Sequence, residues 1–141
     1  MIYTKNTKKA ILIAYNAHMG QLDKMGLPYI FHPVHLAEQM DSEEECIVAL
    51  LHDVVEDTSI TFADLEKEFS KEVIDALKLL THDKSTDYFE YVEKIKENDL
   101  AKKVKIADLK HNSDITRIEN PKKEDEERNI KYKKALEILL N

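Results

Sequence analysis

The sequence predicts an all-α fold, a compact single-domain helical bundle over residues 1–141, and three observations carry that expectation. Only two Gly and three Pro occur, too little punctuation for a many-stranded sheet. Apolar residues recur three and four positions apart along most of the chain. Helix-opening signatures precede several of those stretches. With 43% hydrophobic and 35% charged residues among 141, the chain can bury about two-thirds of its unfolded surface around one core.

The elements follow in order. From about residue 7 to 19, Ala10, Ile13, Ala14 and Ala17 keep helical spacing. Pro33 suits a first helical position, with His32 just ahead and Val34, Leu36, Ala37 and Met40 following. Ser42 with Glu45 reads as a capping box, opening a helix through Cys46, Ile47, Leu50, Leu51, Val54 and Val55. Thr61 with Asp64 repeats that signature before Leu65 and Phe69. Further helices are expected over 71–80, 87–97, 99–113 and 122–140, with short loops around 25–29 and 82–86. The last helix begins acidic, as its dipole favours, and Ile130, Ala135, Leu136, Leu139 and Leu140 are expected to pack inward. No internal repeat, low-complexity tract or linker interrupts the chain.

Composition narrows the function. The formal net charge is −7, from 28 acidic and 21 basic residues. A protein that binds nucleic acid through its phosphates shows a basic face, and only Lys102, Lys103, Lys105 and Lys110 are locally dense. Composition therefore argues against DNA or RNA. It allows a phosphorylated small molecule, because a metal ion and a few lysines can supply local positive charge. No run of about eighteen apolar residues exists, which excludes a membrane-spanning helix. The N-terminal stretch carries Lys and Tyr and lacks a small-residue cleavage site, so it does not read as a signal peptide. A single Cys46 allows no internal disulfide, and a cytoplasmic location is expected. The oligomeric state is left open.

The chemistry concentrates in LLHDVVEDT, residues 50–58. His52 and Asp53 are adjacent near the end of an apolar helix, and Glu56 and Asp57 follow each by four. On a continuous helix that spacing stacks His52 with Glu56 and Asp53 with Asp57. Four ionisable groups beside an apolar run are costly unless charged partners or a metal offset them. GLPYIFHP, residues 26–33, sets His32 between a Pro-containing loop and a Pro-started helix. KIADLKHN, residues 105–112, sets Asp108 in an apolar stretch with Asn112 one turn later. Two imidazoles and two carboxylates suit a hard to borderline divalent ion with open positions, such as Mn²⁺. One Cys argues against a closed structural zinc site.

In order and spacing, GLPYIFHP, LLHDVVEDT, ALKLLTH (residues 76–82) and KIADLKHN resemble the HD hydrolase domain of the RelA/SpoT alarmone enzymes. The resemblance covers about residues 7–117. With no room for the synthetase or regulatory domains of the long members, the chain is expected to resemble the stand-alone small alarmone hydrolases. That resemblance implies a helical bundle of the HD type that uses Mn²⁺ to remove the 3′-pyrophosphate of (p)ppGpp. It implies His32, His52, Asp53 and Asp108 as metal ligands and Glu56 and Asp57 as the pair that activates and orients water. Asn112 matches a nucleotide contact, and Lys24, Lys105 and Arg117 are candidate phosphate contacts. Two departures bear on the substrate. Asp23 stands where a basic, nucleotide-facing residue is typical, with Lys24 retained beside it, and Leu109 replaces the Arg of Ala-Asp-Arg.

Three readings follow: a (p)ppGpp 3′-pyrophosphohydrolase, an HD phosphohydrolase acting on another nucleotide phosphate ester, and a non-catalytic nucleotide-binding HD module. Asp23 motivates the second. The third gives no chemical reason for Glu56 and Asp57. The other residues take plain readings. His18 and His35 are structural or exposed, His82 caps a helix end, and His111 points away from Asn112. Cys46 packs as a small hydrophobe, and Tyr29 and Tyr88 serve core or surface.

Overall fold

The computed structural model describes the whole chain, Met1–Asn141, as α-helices with one 3-10 turn and a single isolated bridge between Leu22 and Pro28. In chain order they are α1 (Lys5–Ala17), α2 (Phe31–Glu38), α3 (Glu43–Leu51), α4 (Val54–Asp57), α5 (Phe62–Glu66), α6 (Lys71–Leu80), α7 (Tyr88–Lys96), α8 (Asp99–Asn112), the 3-10 turn Ile115–Arg117, and α9 (Lys123–Leu140).

The architecture is organised around α3. Cys46 through Leu51 are all buried, and a helix that is apolar all round belongs at a core's centre. It packs against α1, α2, α6 and α8, while α9 closes the far side over α7 and α8. Ser42 accepts from the Glu45 amide, and Glu43, Glu44 and Glu45 meet the positive end of the dipole. Thr61 and Asp64 make the full reciprocal box. At Ser42 only half of the expected box forms, because Glu45 reaches the Asp41 amide instead.

Several expectations are corrected. α1 starts two residues earlier, since Thr4 and Thr7 cap it reciprocally. α2 starts at Phe31, so His32 lies inside the helix. Pro33 remains within the first turn, where a missing N–H leaves no bond unmade. The helix expected to run from Cys46 through Val55 breaks at His52–Asp53: α3 stops at Leu51, and Asp53, at φ −107° and ψ 0°, precedes the single turn of α4. Phe69 lies beyond α5. On α9, Ala135 and Leu139 are buried, but Ile130 and Leu140 are 69% and 62% exposed. The helix touches its neighbours along a narrow stripe, so these two fall outside it.

Candidate metal centre

Three elements deliver the cluster. His32 comes from the first turn of α2, His52 and Asp53 from the break after α3, and Asp108 from the middle of α8. Because α3 packs on both α2 and α8, residues 76 positions apart in sequence meet: His32 Nε2 lies 2.9 Å from Asp108 Oδ1. His52 Nε2 lies 3.1 Å from Asp53 Oδ2 and 3.5 Å from Asp108 Oδ1. His32, His52 and Asp53 offer ligand atoms all within 4.8 Å of one another. His32, His52 and Asp108 are buried, at 4%, 3% and 5% exposure.

The hydrogen bonding of His52 gives the cluster its character. Its Nδ1–H donates to the Ala49 carbonyl at 2.7 Å, which turns the Nε2 lone pair toward the two carboxylates. That Nε2 is buried and forms no aligned hydrogen bond, despite its closeness to both oxygens. A lone pair facing two carboxylates is repulsive unless a positive charge lies between them. A proton or a cation can supply it. Burial alone would push the His52 imidazole down, but Asp53 and Asp108 outweigh it and hold it well above its ordinary range. The same contacts bring Asp53 down to about 2 against the opposing effect of burial. The ligand atoms of His32, His52 and Asp53 lie close enough together to share one divalent cation, with Asp108 outside that group of three but bonded to His32.

Outer contacts fix the carboxylates. The Tyr29 hydroxyl donates to Asp53. Asp108 accepts from Lys105 Nζ and from Asn112 Nδ2, each at 2.9 Å. Burial opposes the charge on Lys105, yet Asp108 keeps its ammonium well above the usual range. Lys105, a candidate phosphate contact, is therefore already engaged with an acid, and so is Asn112, which lies one turn after Asp108 as expected.

The acidic pair divides. The helix break removes the expected stacking of His52 with Glu56, whereas Asp57 stays one turn from Asp53 through a 3.0 Å amide-to-carbonyl bond. Glu56 Oε1 accepts from the His82 amide at 2.8 Å. Burial and the neighbouring Asp53 and Glu56 push the Asp57 carboxyl up to about 6. Both acids line a 250 Å³ cleft with Lys105, Asp108, Asn112 and Lys131. A second cleft, of 240 Å³, is lined by Asp23, Lys24, Tyr29, Asn112 and Arg117, so Asn112 is common to both.

The two departures have local explanations. Asp23 Oδ1 accepts from the Met25 and Leu27 amides at 2.9 and 3.0 Å, building the loop, while its Oδ2 lies 3.9 Å from Arg117 Nη2. A cation thus faces this cleft, supplied from the 3-10 turn. Leu109 is fully buried in the core.

Sequence reasoning missed three residues around the cluster. His111, expected to point away, places Nδ1 2.8 Å from His32 Nδ1, with the two rings within 8° of parallel. Its i,i+3 spacing from Asp108 puts it on the same side of α8 and could have revealed it. His18, expected to be structural or exposed, is 2% exposed and packs on Tyr29 with ring centroids 4.8 Å apart. Its Nδ1 lies 2.9 Å from Gln21 Oε1, and Gln21 Nε2 donates to the Asp57 carbonyl at 3.1 Å. Tyr29, read as core or surface, holds Asp53.

Known proteins resemble this chain in family and in fold. Residues 10–139 match the family model described as HD domain. The bifunctional (p)ppGpp synthase/hydrolase SpoT of Escherichia coli is 44% identical over 78 residues, covering 52% of this chain and 11% of that protein. The guanosine-3′,5′-bis(diphosphate) 3′-pyrophosphohydrolase of Borreliella burgdorferi is 33% identical over 125 residues, covering 77% of this chain and 18% of that one. The chain therefore spans under a fifth of the length of these curated relatives. A solved structure described as a metazoan ortholog of SpoT that hydrolyzes ppGpp superposes with a TM-score of 0.79 at 26% identity, covering 99% of this chain and 88% of that one.

Proposed function

The chain belongs to the HD domain family, and from that premise we propose that it is a metal-dependent hydrolase removing the 3′-pyrophosphate of (p)ppGpp, giving GDP or GTP and pyrophosphate. The observation that carries the reading is the buried His52 Nε2, without an aligned partner and facing Asp53 and Asp108, with Glu56 and Asp57 in the adjoining cleft. Relatives named as (p)ppGpp hydrolases support the substrate.

His32, His52, Asp53 and Asp108 would hold the cation, and their mixed nitrogen and oxygen donors favour Mn²⁺. When bound, such an ion lowers the pKa of water and offsets phosphoryl charge. The protein's own groups do the rest. Asp57, near neutrality in its affinity for a proton, accepts one from the attacking water. Glu56, fixed by the His82 amide, orients that water. Tyr29 and Lys105 hold the two ligand carboxylates in place. Lys24, Asn112 and Arg117 face the nucleoside side, and Lys131 adds positive charge on the phosphoryl side. The partner is thus a small nucleotide. No helix is long and apolar enough to cross a membrane.

The deciding experiment incubates metal-stripped protein with ppGpp, with and without Mn²⁺, and follows GDP and pyrophosphate. Release of both only with Mn²⁺ is expected. Bound metal without turnover would sink the substrate assignment. The Asp23 carboxylate beside the nucleoside cleft favours, as a second reading, a different nucleotide phosphate ester. A substrate panel in which another nucleotide turns over far faster than ppGpp would establish it.

A further inference from the structure

We propose that His111 is a positioning residue for His32, acting as the hydrogen-bond acceptor that lets His32 turn Nε2 toward a cation. This rests on the metal reading above. Two ring nitrogens 2.8 Å apart require one donor and one acceptor. Where His32 Nε2 serves as a ligand it carries a lone pair, so its proton sits on Nδ1 and needs an acceptor. His111 Nδ1 is the atom in place, and its own proton then lies on Nε2.

The surroundings hold His111 in place. The Arg117 guanidinium donates to the His111 carbonyl at 2.8 Å, pinning the end of α8. The ring of His35 packs against it with centroids 4.2 Å apart.

His32 Nε2 lies 2.9 Å from Asp108 Oδ1, so the nitrogen that would face a cation already points into the cluster while Nδ1 points at His111. An outer partner that fixes the tautomer of a ligating imidazole is worth about 10- to 100-fold in metal affinity.

The test measures Mn²⁺ binding by titration calorimetry, without nucleotide, for the wild type, His111→Asn and His111→Phe. Asn Oδ1 occupies nearly the place of the His Nδ1 acceptor, and Phe keeps the ring but offers none. His111→Asn is expected to bind within about 3-fold of wild type and His111→Phe about 10- to 100-fold more weakly. Binding by His111→Phe within about 2-fold of wild type, against the 10- to 100-fold loss expected of a missing outer partner, would overturn the proposal. Equal weakness of the Asn and Phe variants would do the same, since ring packing would then be the cause. Should His111→Phe not fold, ¹⁵N shifts of His32 in the Zn²⁺-loaded wild type decide: Nδ1 protonated supports the role, and Nδ1 bare overturns it. No cation uptake by any of the three sinks the metal reading and this role with it. Uptake with the expected ratios but no ppGpp turnover leaves the role of His111 standing and removes only the substrate.

Discussion

Asp108 shares two oxygens among His32, Lys105 and Asn112, with His52 close by, so at the scale of single residues the site is a balance of buried charges. Asp53 faces the same cluster with fewer partners, and its replacement tests the metal reading most directly. Asp53→Asn is expected to abolish retention of a divalent ion and turnover while far-UV circular dichroism stays near wild type. Glu56→Gln keeps an acceptor for the His82 amide, so it should retain the metal and lose rate, whereas Asp57→Asn, which removes the proton acceptor, should lose about 10²- to 10⁴-fold. Wild-type activity in all three would show the site to be misassigned. Proton linkage gives a second check. Asp53 and Asp108 raise the His52 pKa in the cation-free fold despite burial, whereas a ligating His52 must be neutral. Below that raised pKa each ion taken up displaces one proton, and affinity falls about tenfold per unit of acidification. Above it the dependence vanishes. Calorimetry at pH 7 in two buffers of different protonation enthalpy should show one proton released, and none would contradict this account. The candidate ligands were legible because charged residues sat in apolar stretches with motif spacing. Tyr29 was not, because it comes from the loop before α2 and meets Asp53 only through the tertiary fold, whereas His111 carried a local signal, its i,i+3 spacing from Asp108, that went unread.

At the scale of elements, helices with caps or amphipathic spacing were readable. Residues 71–80 were read to the residue, as Ser70 accepts from the Val73 amide and one face of α6 is buried. The break at His52–Asp53 was not readable, because the apolar pattern runs on through Val54 and Val55, whereas in the fold the His52 side chain takes the Ala49 carbonyl. That break aims His52 and Asp53 together, and α3 is the rigid post behind it. Leu50, fully buried on α3, should therefore be costly to truncate. Leu50→Ala is expected to lower unfolding stability by about 2–5 kcal/mol in urea titration. A loss under about 1 kcal/mol would mean that α3 is not the tightly packed centre described above. The 21–29 loop is tied to the same region, since Gln21 accepts from the Tyr29 amide through its carbonyl and bonds the Asp57 carbonyl through its side chain.

For the whole molecule, the legible part was the fold class and the set of segments that converge. The clefts were not legible, because they lie between elements far apart in sequence. Asp23 illustrates this: as a letter it signals a lost cation, whereas in the fold it faces Arg117 from beyond α8. The bonding of Asp108 to His32, Lys105 and Asn112 has one more consequence. A carboxylate already satisfied by protein donors needs no ion to hold the bundle together, so the cation-free chain should melt cooperatively, with added ion raising the midpoint only by mass action. A chelator that unfolds the protein at room temperature would refute this. With folding and loading separate, the ion can leave and return without loss of the molecule. On the proposed function, the rate would then follow the free concentration of that ion, and the supply of metal would set the pace of the reaction.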